Sequence, residues 1–172
     1  MPQDQGEQTR LKYCADTSAL FDLKDHWQMD VFPSLWARIE QLVDEGRLFA
    51  PHAVLEEIRR GDDELVAWAT TRQTMFRPLS AALLATTKEI LARFPDLVDS
   101  TKRHEDADPY VVAQAVLEGE APGDLLSPPA TCAVLTTEHR RIGKIRIPHA
   151  CAAYSIECFD FRELFRRESI KI

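Results

Sequence analysis

The sequence predicts an α/β protein built on a parallel sheet with helices on both faces. Two observations carry this. Short apolar runs that read as buried strands alternate along the chain with segments of helical periodicity, and that alternation is the signature of βαβ units. Acidic residues also recur where those strands end, and open α/β sheets bind their ligands at the C-terminal strand ends where strand order reverses. The crossovers of such sheets are right-handed, which leaves few topologies.

The elements follow in order. "MPQDQGEQTR" (1–10) is polar, lacks an apolar signal region and reads as a flexible tail, leaving 11–172 as a single domain. "RLKYCADT" (10–17) is the first strand, and "SALFDLKDHW" a short helix. Pro33 opens a second helix in which Leu35, Trp36, Ile39, Leu42 and Val43 share one face, with Gly46 as its stop. "RLFAP" (47–51) is a short strand. "HAVLEEIRRGDDELVAWATTRQ" holds two helical pieces about Gly61 and Asp62, and "LSAALLATTKEILARF" is another amphipathic helix. A buried strand is expected near "DLVDS" (96–100). Asp108 caps the helix of "DPYVVAQAVLEGE", with Pro109 in its first turn. After the proline-rich loop "APGDLLSPPA" come the strand "TCAVLTTE" (131–138), the basic loop "HRRIGKIRIP", the helix "HACAAYS", the strand "IECFDF" and the final helix "RELFRRES".

Composition narrows the function. The chain has 172 residues and ordinary hydrophobic and charged fractions, and no apolar run approaches the ~20 residues of a membrane span, so a cytoplasmic protein is the default expectation. A net charge of −7 argues against a general nucleic-acid coat, but not against a nuclease whose carboxylates are balanced by cations. Cys14, Cys132, Cys151 and Cys158 form no CxxC pair and read as reduced, mostly buried thiols. His149, Cys151 and Cys158 lack the second ligand pair of a zinc motif. No GxGxxG, Walker loop or GxSxG elbow is present. An aspartyl-phosphate phosphatase would need an aspartate where Ser18 stands.

The acids at the expected C-terminal edge are Asp16, Glu56, Glu57, Asp106, Asp108 and Glu138. Singly they are caps, solvent-facing glutamates or surface ion pairs, such as Glu138 with Arg140 or Arg141. Together they repel. Two carboxylates ~5 Å apart cost roughly 3 kcal/mol at an effective dielectric of 20. Protons or divalent cations offset that cost, and an all-oxygen ligand set selects Mg²⁺ or Mn²⁺ over zinc.

Asp16 in "DTSAL", Glu57 in "VLEEI", Asp108 in "DADPYVVAQA" and Glu138 in "VLTTEH" resemble, in order, the acidic motifs of PIN-domain ribonucleases. "KIRIPHAC" followed by "IECFDF" resembles the end of a VapC-like toxin subgroup with a longer helical middle. The resemblance implies a three-layer α/β/α PIN-like fold with a parallel sheet of four or five strands. It also implies a metal-dependent endoribonuclease that leaves a 5′-phosphate and a 3′-hydroxyl, as the toxin of a type II toxin–antitoxin pair. Glu57 is preferred to Glu56 because the family's acid precedes an aliphatic residue, here Ile58. The fourth acid is Glu138, where many PIN domains carry aspartate.

By that resemblance Asp16 and Asp108 hold the principal ion, Glu57 tunes it or orients the attacking water, Glu138 completes the site or binds a second ion, and Asp106 is accessory. Thr17, Ser18 and Thr136 stand beside the acids and have hydroxyls for carboxylate or phosphate. Arg140, Arg141, Lys144 and Arg146, together with Lys102, Arg103 and His104, are candidates for the RNA backbone. The helical middle, Trp36 through Phe94, reads mostly as core, with Trp36, Trp68 and Phe76 as alternative candidates for a partner surface, the partners implied being a cognate antitoxin and a second copy in a homodimer. A housekeeping RNA-processing or DNA-acting nuclease, and a non-cleaving PIN-like scaffold, are the alternatives.

Overall fold

The computed structural model describes residues 11–61, 63–99, 101, 106–120, 131–140 and 142–171. The expected tail at 1–10, the proline-rich loop at 121–130 and the basic residues Lys102, Arg103, His104 and Arg141 lie outside them.

Strand β1 (Lys12–Ala15) lies at the centre of a five-stranded sheet. Helices α1 (Thr17–His26) and α2 (Pro33–Asp44) lead to β2 (Leu48–Pro51). Helices α3 (His52–Ile58) and α4 (Asp63–Thr71) lead to β3 (Phe76–Arg77), and α5 (Ala81–Arg93) and α6 (Asp108–Glu120) to β4 (Cys132–Leu135). Helix α7 (Ile147–Ala153), β5 (Cys158–Phe159) and α8 (Phe161–Arg167) complete the chain. The order is β3-β2-β1-β4-β5 and every pairing is parallel, with Cys14 opposite both Phe49 and Val134. The chain steps outward from β1 to β3, then returns to the other side of β1 for β4. The strand order therefore reverses between β1 and β4.

Alternation along β1 separates the layers. The Cys14 thiol faces the Val111 carbonyl of α6, and α6 packs against α5 and α7. Tyr13 points to the opposite face, where its hydroxyl donates to Glu168 just beyond α8 at 2.5 Å and its ring meets Phe159 edge-on. On that face Trp36 of α2 donates its indole N–H to the Trp27 carbonyl, and Trp27 packs edge-to-face on Phe165 of α8. The protein is thus a three-layer α/β/α sandwich. Helix α2 ends as its sequence expects. Gly46 takes φ +67°, and the Gly46 and Arg47 N–H groups donate back to Val43 and Leu42, both at 2.9 Å.

Three expectations need correction. Among its described residues, 96–99, "DLVDS" forms no strand: Pro95–Leu97 is a single 3-10 turn, and the third strand is instead Phe76–Arg77, too short to show a period. Trp36, Trp68 and Phe76 do not form a surface. All three are buried, and the two indoles pack edge-to-face at 5.2 Å. Asp108 is the first helical residue of α6, not its cap. Among the described residues no helix is long and apolar enough to cross a membrane.

Candidate active site

A cleft of about 560 Å³ opens over the C-terminal ends of β1 and β4, at the point where the strand order reverses. Asp16, Thr17, Ser18, Glu57, Asp106, Asp108, Glu138 and Lys144 all line it. The topology explains how acids so distant in sequence meet. Asp16 follows β1, Glu57 sits on α3 after β2, Asp108 begins α6, and Glu138 lies just past β4.

Asp16 is placed by the buried strand beneath it, and its N–H donates to the Leu135 carbonyl at 2.9 Å. It occupies the cap position of α1, yet its carboxylate makes no capping bond. Instead Oδ2 accepts from Ser18 Oγ at 2.6 Å and from Thr136 Oγ1 at 2.9 Å. Thr17 donates to Glu57 Oε2 at 2.5 Å, and the Ala107 N–H donates to Glu57 Oε1 at 2.9 Å. The Thr17-Ser18 pair thus orients two carboxylates from one helical turn. Glu56 points away and pairs with Arg59 and His52 at the surface, so Glu57 is the glutamate that faces the cleft.

Asp106 is buried, and its Oδ2 accepts from the Asp99 N–H at 2.9 Å, bracing the loop that forms one wall. Asp108 has no hydrogen-bond or ion-pair partner among the described residues. Glu138 is held tightly. Its Oε1 accepts from Arg146 Nη1, its Oε2 from the Ile147 N–H at 3.2 Å, and its own N–H donates to Thr136 Oγ1 at 3.1 Å. Its partner is therefore Arg146, not the neighbouring Arg140.

The electrostatics register this crowding. Burial pushes the Asp16 carboxyl up to about 6, against the hydrogen bonds from Ser18 and Thr136 and with the charges of Glu138 and Glu57. Burial also pushes Asp108 up, to about 8, and the charges of Asp16, Glu138, Asp106 and Glu57 add to it. The acids share one field.

Among the described residues no three Asp, Glu, His or Cys side chains are gathered closely enough to hold an ion jointly. Glu57 and Glu138 are committed to protein donors, whereas Asp16 keeps one oxygen, Oδ1, outside its two hydroxyl bonds and Asp108 keeps its whole carboxylate. Such a donor set fits Mg²⁺ or Mn²⁺, which take one or two carboxylates and retain several waters. It does not fit zinc. His149 Nδ1 accepts the Arg146 N–H at 3.2 Å and Cys151 is buried.

Arg140 is exposed and does not line the cleft, whereas Lys144 and Arg146 do. Phe21, Asp96 and Asp99 are lining residues that sequence reasoning missed. Phe21 lies against Gly61, where an added Cβ would come within 3.1 Å of the ring. Gly61 was legible only as a helix break, not as a seat for that ring.

Thr17→Val isolates the hydroxyl's contribution. It removes one donor to the Glu57 carboxylate and is expected to lower stability by about 1–2 kcal/mol in urea melts, with Thr17→Ser restoring most of the loss.

Fold and site define a class: a parallel α/β sandwich with a carboxylate-lined cleft at its topological switch point. The chain belongs to the family described as a domain of unknown function, DUF4411, whose sequence profile matches residues 13–172. No curated protein matches it significantly. Among solved structures, the crystal structure of PAE2754 from Pyrobaculum aerophilum is similar over 98% of this chain and 96% of that one, at 13% identity and a TM-score of 0.45.

Proposed function

We propose that the protein is a Mg²⁺- or Mn²⁺-dependent endoribonuclease of the PIN type. The observation that carries this reading is the approach of Asp16 and Asp108 to one cleft at the switch point, with the protonation of both driven up by burial first and then by neighbouring carboxylates. A divalent cation held there neutralises charge on a scissile phosphate and lowers the pKa of its bound water. The chain's own residues do the rest. Ser18 and Thr136 fix the Asp16 carboxylate, and Asp108 supplies the second, unpaired carboxylate. Glu57, locked by Thr17 and Ala107, stands beside them to orient an attacking water. Lys144 and Arg146 offer positive charge to the RNA backbone on the wall beside Glu138.

Purified protein is expected to cut RNA with Mn²⁺ or Mg²⁺ and to stop with EDTA. Arg140→Ala with Arg141→Ala is expected to weaken RNA binding and flatten its salt dependence, by a slope of about 1–2 in log Kd against log salt. Unchanged binding and slope would confine backbone recognition to Lys144 and Arg146.

The reading extends to a cytoplasmic toxin restrained by a cognate antitoxin and working as a homodimer. Its support is the ordered set of motifs around Asp16, Glu57, Asp108 and Glu138. Growth arrest on expression, lost with Asp16→Asn, separates a toxin from a housekeeping nuclease. A non-cleaving scaffold is favoured by one observation, the sequestration of Glu138 by Arg146. Calorimetry that finds no Mn²⁺ binding decides for it.

A further inference from the structure

Resting on the nuclease reading above, we propose that Arg146 is the site's built-in second cation. The centre then takes one divalent ion on the Asp16–Asp108 side, and Glu138 anchors Arg146 instead of ligating metal.

The bonding around Glu138 leads to this. Both carboxylate oxygens are taken, Oε1 by the Arg146 guanidinium and Oε2 by the Ile147 N–H at 3.2 Å. The ion pair is largely withdrawn from solvent, with the Glu138 side chain 15% and the Arg146 side chain 28% exposed. An ion ligated by Glu138 would sit about 2.1 Å from an oxygen. A guanidinium in a charge-assisted bond to that oxygen stands about 2.8 Å away. The two would crowd one carboxylate within a few Å of each other, and their like charges repel. The pair is also wired to the remainder of the site. The Glu138 N–H donates to Thr136 Oγ1 at 3.1 Å, and that hydroxyl donates on to Asp16 Oδ2 at 2.9 Å. Arg146 therefore lines the cleft as a fixed positive charge, held at the opposite end of a short bonded chain from the free oxygen of Asp16.

The identity of the fourth acid then makes sense. Glu138 has the reach to meet a guanidinium eight positions along the chain and a backbone N–H nine along, through the loop after β4.

The test is Mn²⁺ titration of the full chain, read by calorimetry and by the loss of the free-ion electron paramagnetic resonance signal. The wild-type protein and Arg146→Lys are expected to bind one ion. Glu138→Gln combined with Arg146→Gln keeps the net charge and is expected to bind one ion still, within about threefold of the wild-type Kd. Arg146→Gln alone releases Glu138 and is expected to raise the stoichiometry to two. Two ions on the wild type, or a loss of more than about tenfold in the neutral-pair variant, would overturn the assignment and leave the nuclease reading standing. No ion on the wild type would overturn both. Should Arg146→Gln lose its cooperative melt, the wild type and the neutral pair decide between them.

Discussion

Asp108→Asn is expected to abolish metal-dependent RNA cleavage, by at least about 10³-fold, while making the ion-free protein more stable at pH 8. The two effects share a cause. Asp108 begins α6 with its carboxylate turned into a cleft that also holds Asp16, Glu57, Asp106 and Glu138, and it has no donor among the described residues to offset them. Burial and those charges push its carboxyl up to about 8. Keeping it ionised is therefore costly until a cation arrives. Asparagine has the same shape without the charge. It relieves about 2–4 kcal/mol of the cost of a buried, repelled charge at pH 8, after allowance for partial exposure and for coupling among the acids. It also forfeits a few tenths of that as a lost anion in the first turn of a helix. Asp16→Asn is expected to lose cleavage to the same extent, with a smaller gain in stability because Ser18 and Thr136 already support the charge. Gel-based cleavage assays paired with denaturant melts test both. Undiminished cleavage by either variant removes the proposed chemistry, and a destabilised Asp108→Asn contradicts the electrostatic account.

Much of this site is legible in the sequence because it obeys a positional rule. Buried strands in an α/β sheet are near-continuous apolar runs, so a carboxylate that terminates one stands out. "YCAD" and "CAVLTTE" declare their ends in this way, and the topology then brings those ends together. That one of Glu56 and Glu57 faces solvent follows from helix geometry, but the choice of Glu57 rests on the resemblance, in which the acid precedes an aliphatic residue, here Ile58. What was not legible depends on contacts with no period. Strand β3 is two residues long and pairs only through Ala50 and Pro51. The wall built by Asp96 and Asp99 comes from a 3-10 turn and a side-chain-braced loop that read as a possible strand. The partner of Glu138 is the least readable of all. Arg140 and Arg141 are closer in sequence, but the chain must turn through Gly143, at φ +85°, before Arg146 can come back to the carboxylate. Trp36 and Trp68 mislead in the opposite direction. Large aromatics suggest a binding surface, yet here each indole N–H finds a partner, Trp27 or Glu40, and both rings are buried between α2 and α4.

The ion-free protein is expected to lose stability as pH rises from about 5 to 8.5, and divalent cations to reverse that loss. The sign follows from the direction of the shifts. The Asp16 and Asp108 carboxyls are raised in the folded state, to about 6 and about 8, so the folded protein holds these protons more tightly than the unfolded chain does. Their contribution is complete below the unfolded value, near 3.9, and is lost as pH climbs through the folded values. Glu168 is the opposite case. Burial pushes it up, but hydrogen bonds from Arg47 and Tyr13 outweigh that and hold it below its ordinary value. Its contribution is present at neutral pH and disappears in acid. The optimum without ions should therefore lie near pH 4.5–5, above the unfolded value of Glu168 and before most of the Asp16 and Asp108 contribution is lost, with a fall of roughly 5–10 °C in Tm by pH 8.5, given about 2–4 °C per kcal/mol for a chain of this size. Mn²⁺ at about 100 times its Kd adds about 2.7 kcal/mol. It should act most strongly at pH 8, where both carboxylates are free to ligate, and little at pH 5, where protons occupy them. Calorimetric scans across this range, with EDTA and with Mn²⁺, provide the measurement. Asp108→Asn should flatten the limb above pH 6 and remove most of the cation's effect. An EDTA-treated protein whose Tm holds steady or climbs between pH 6 and 8.5 would mean that these carboxylates do not share the field the cleft imposes on them.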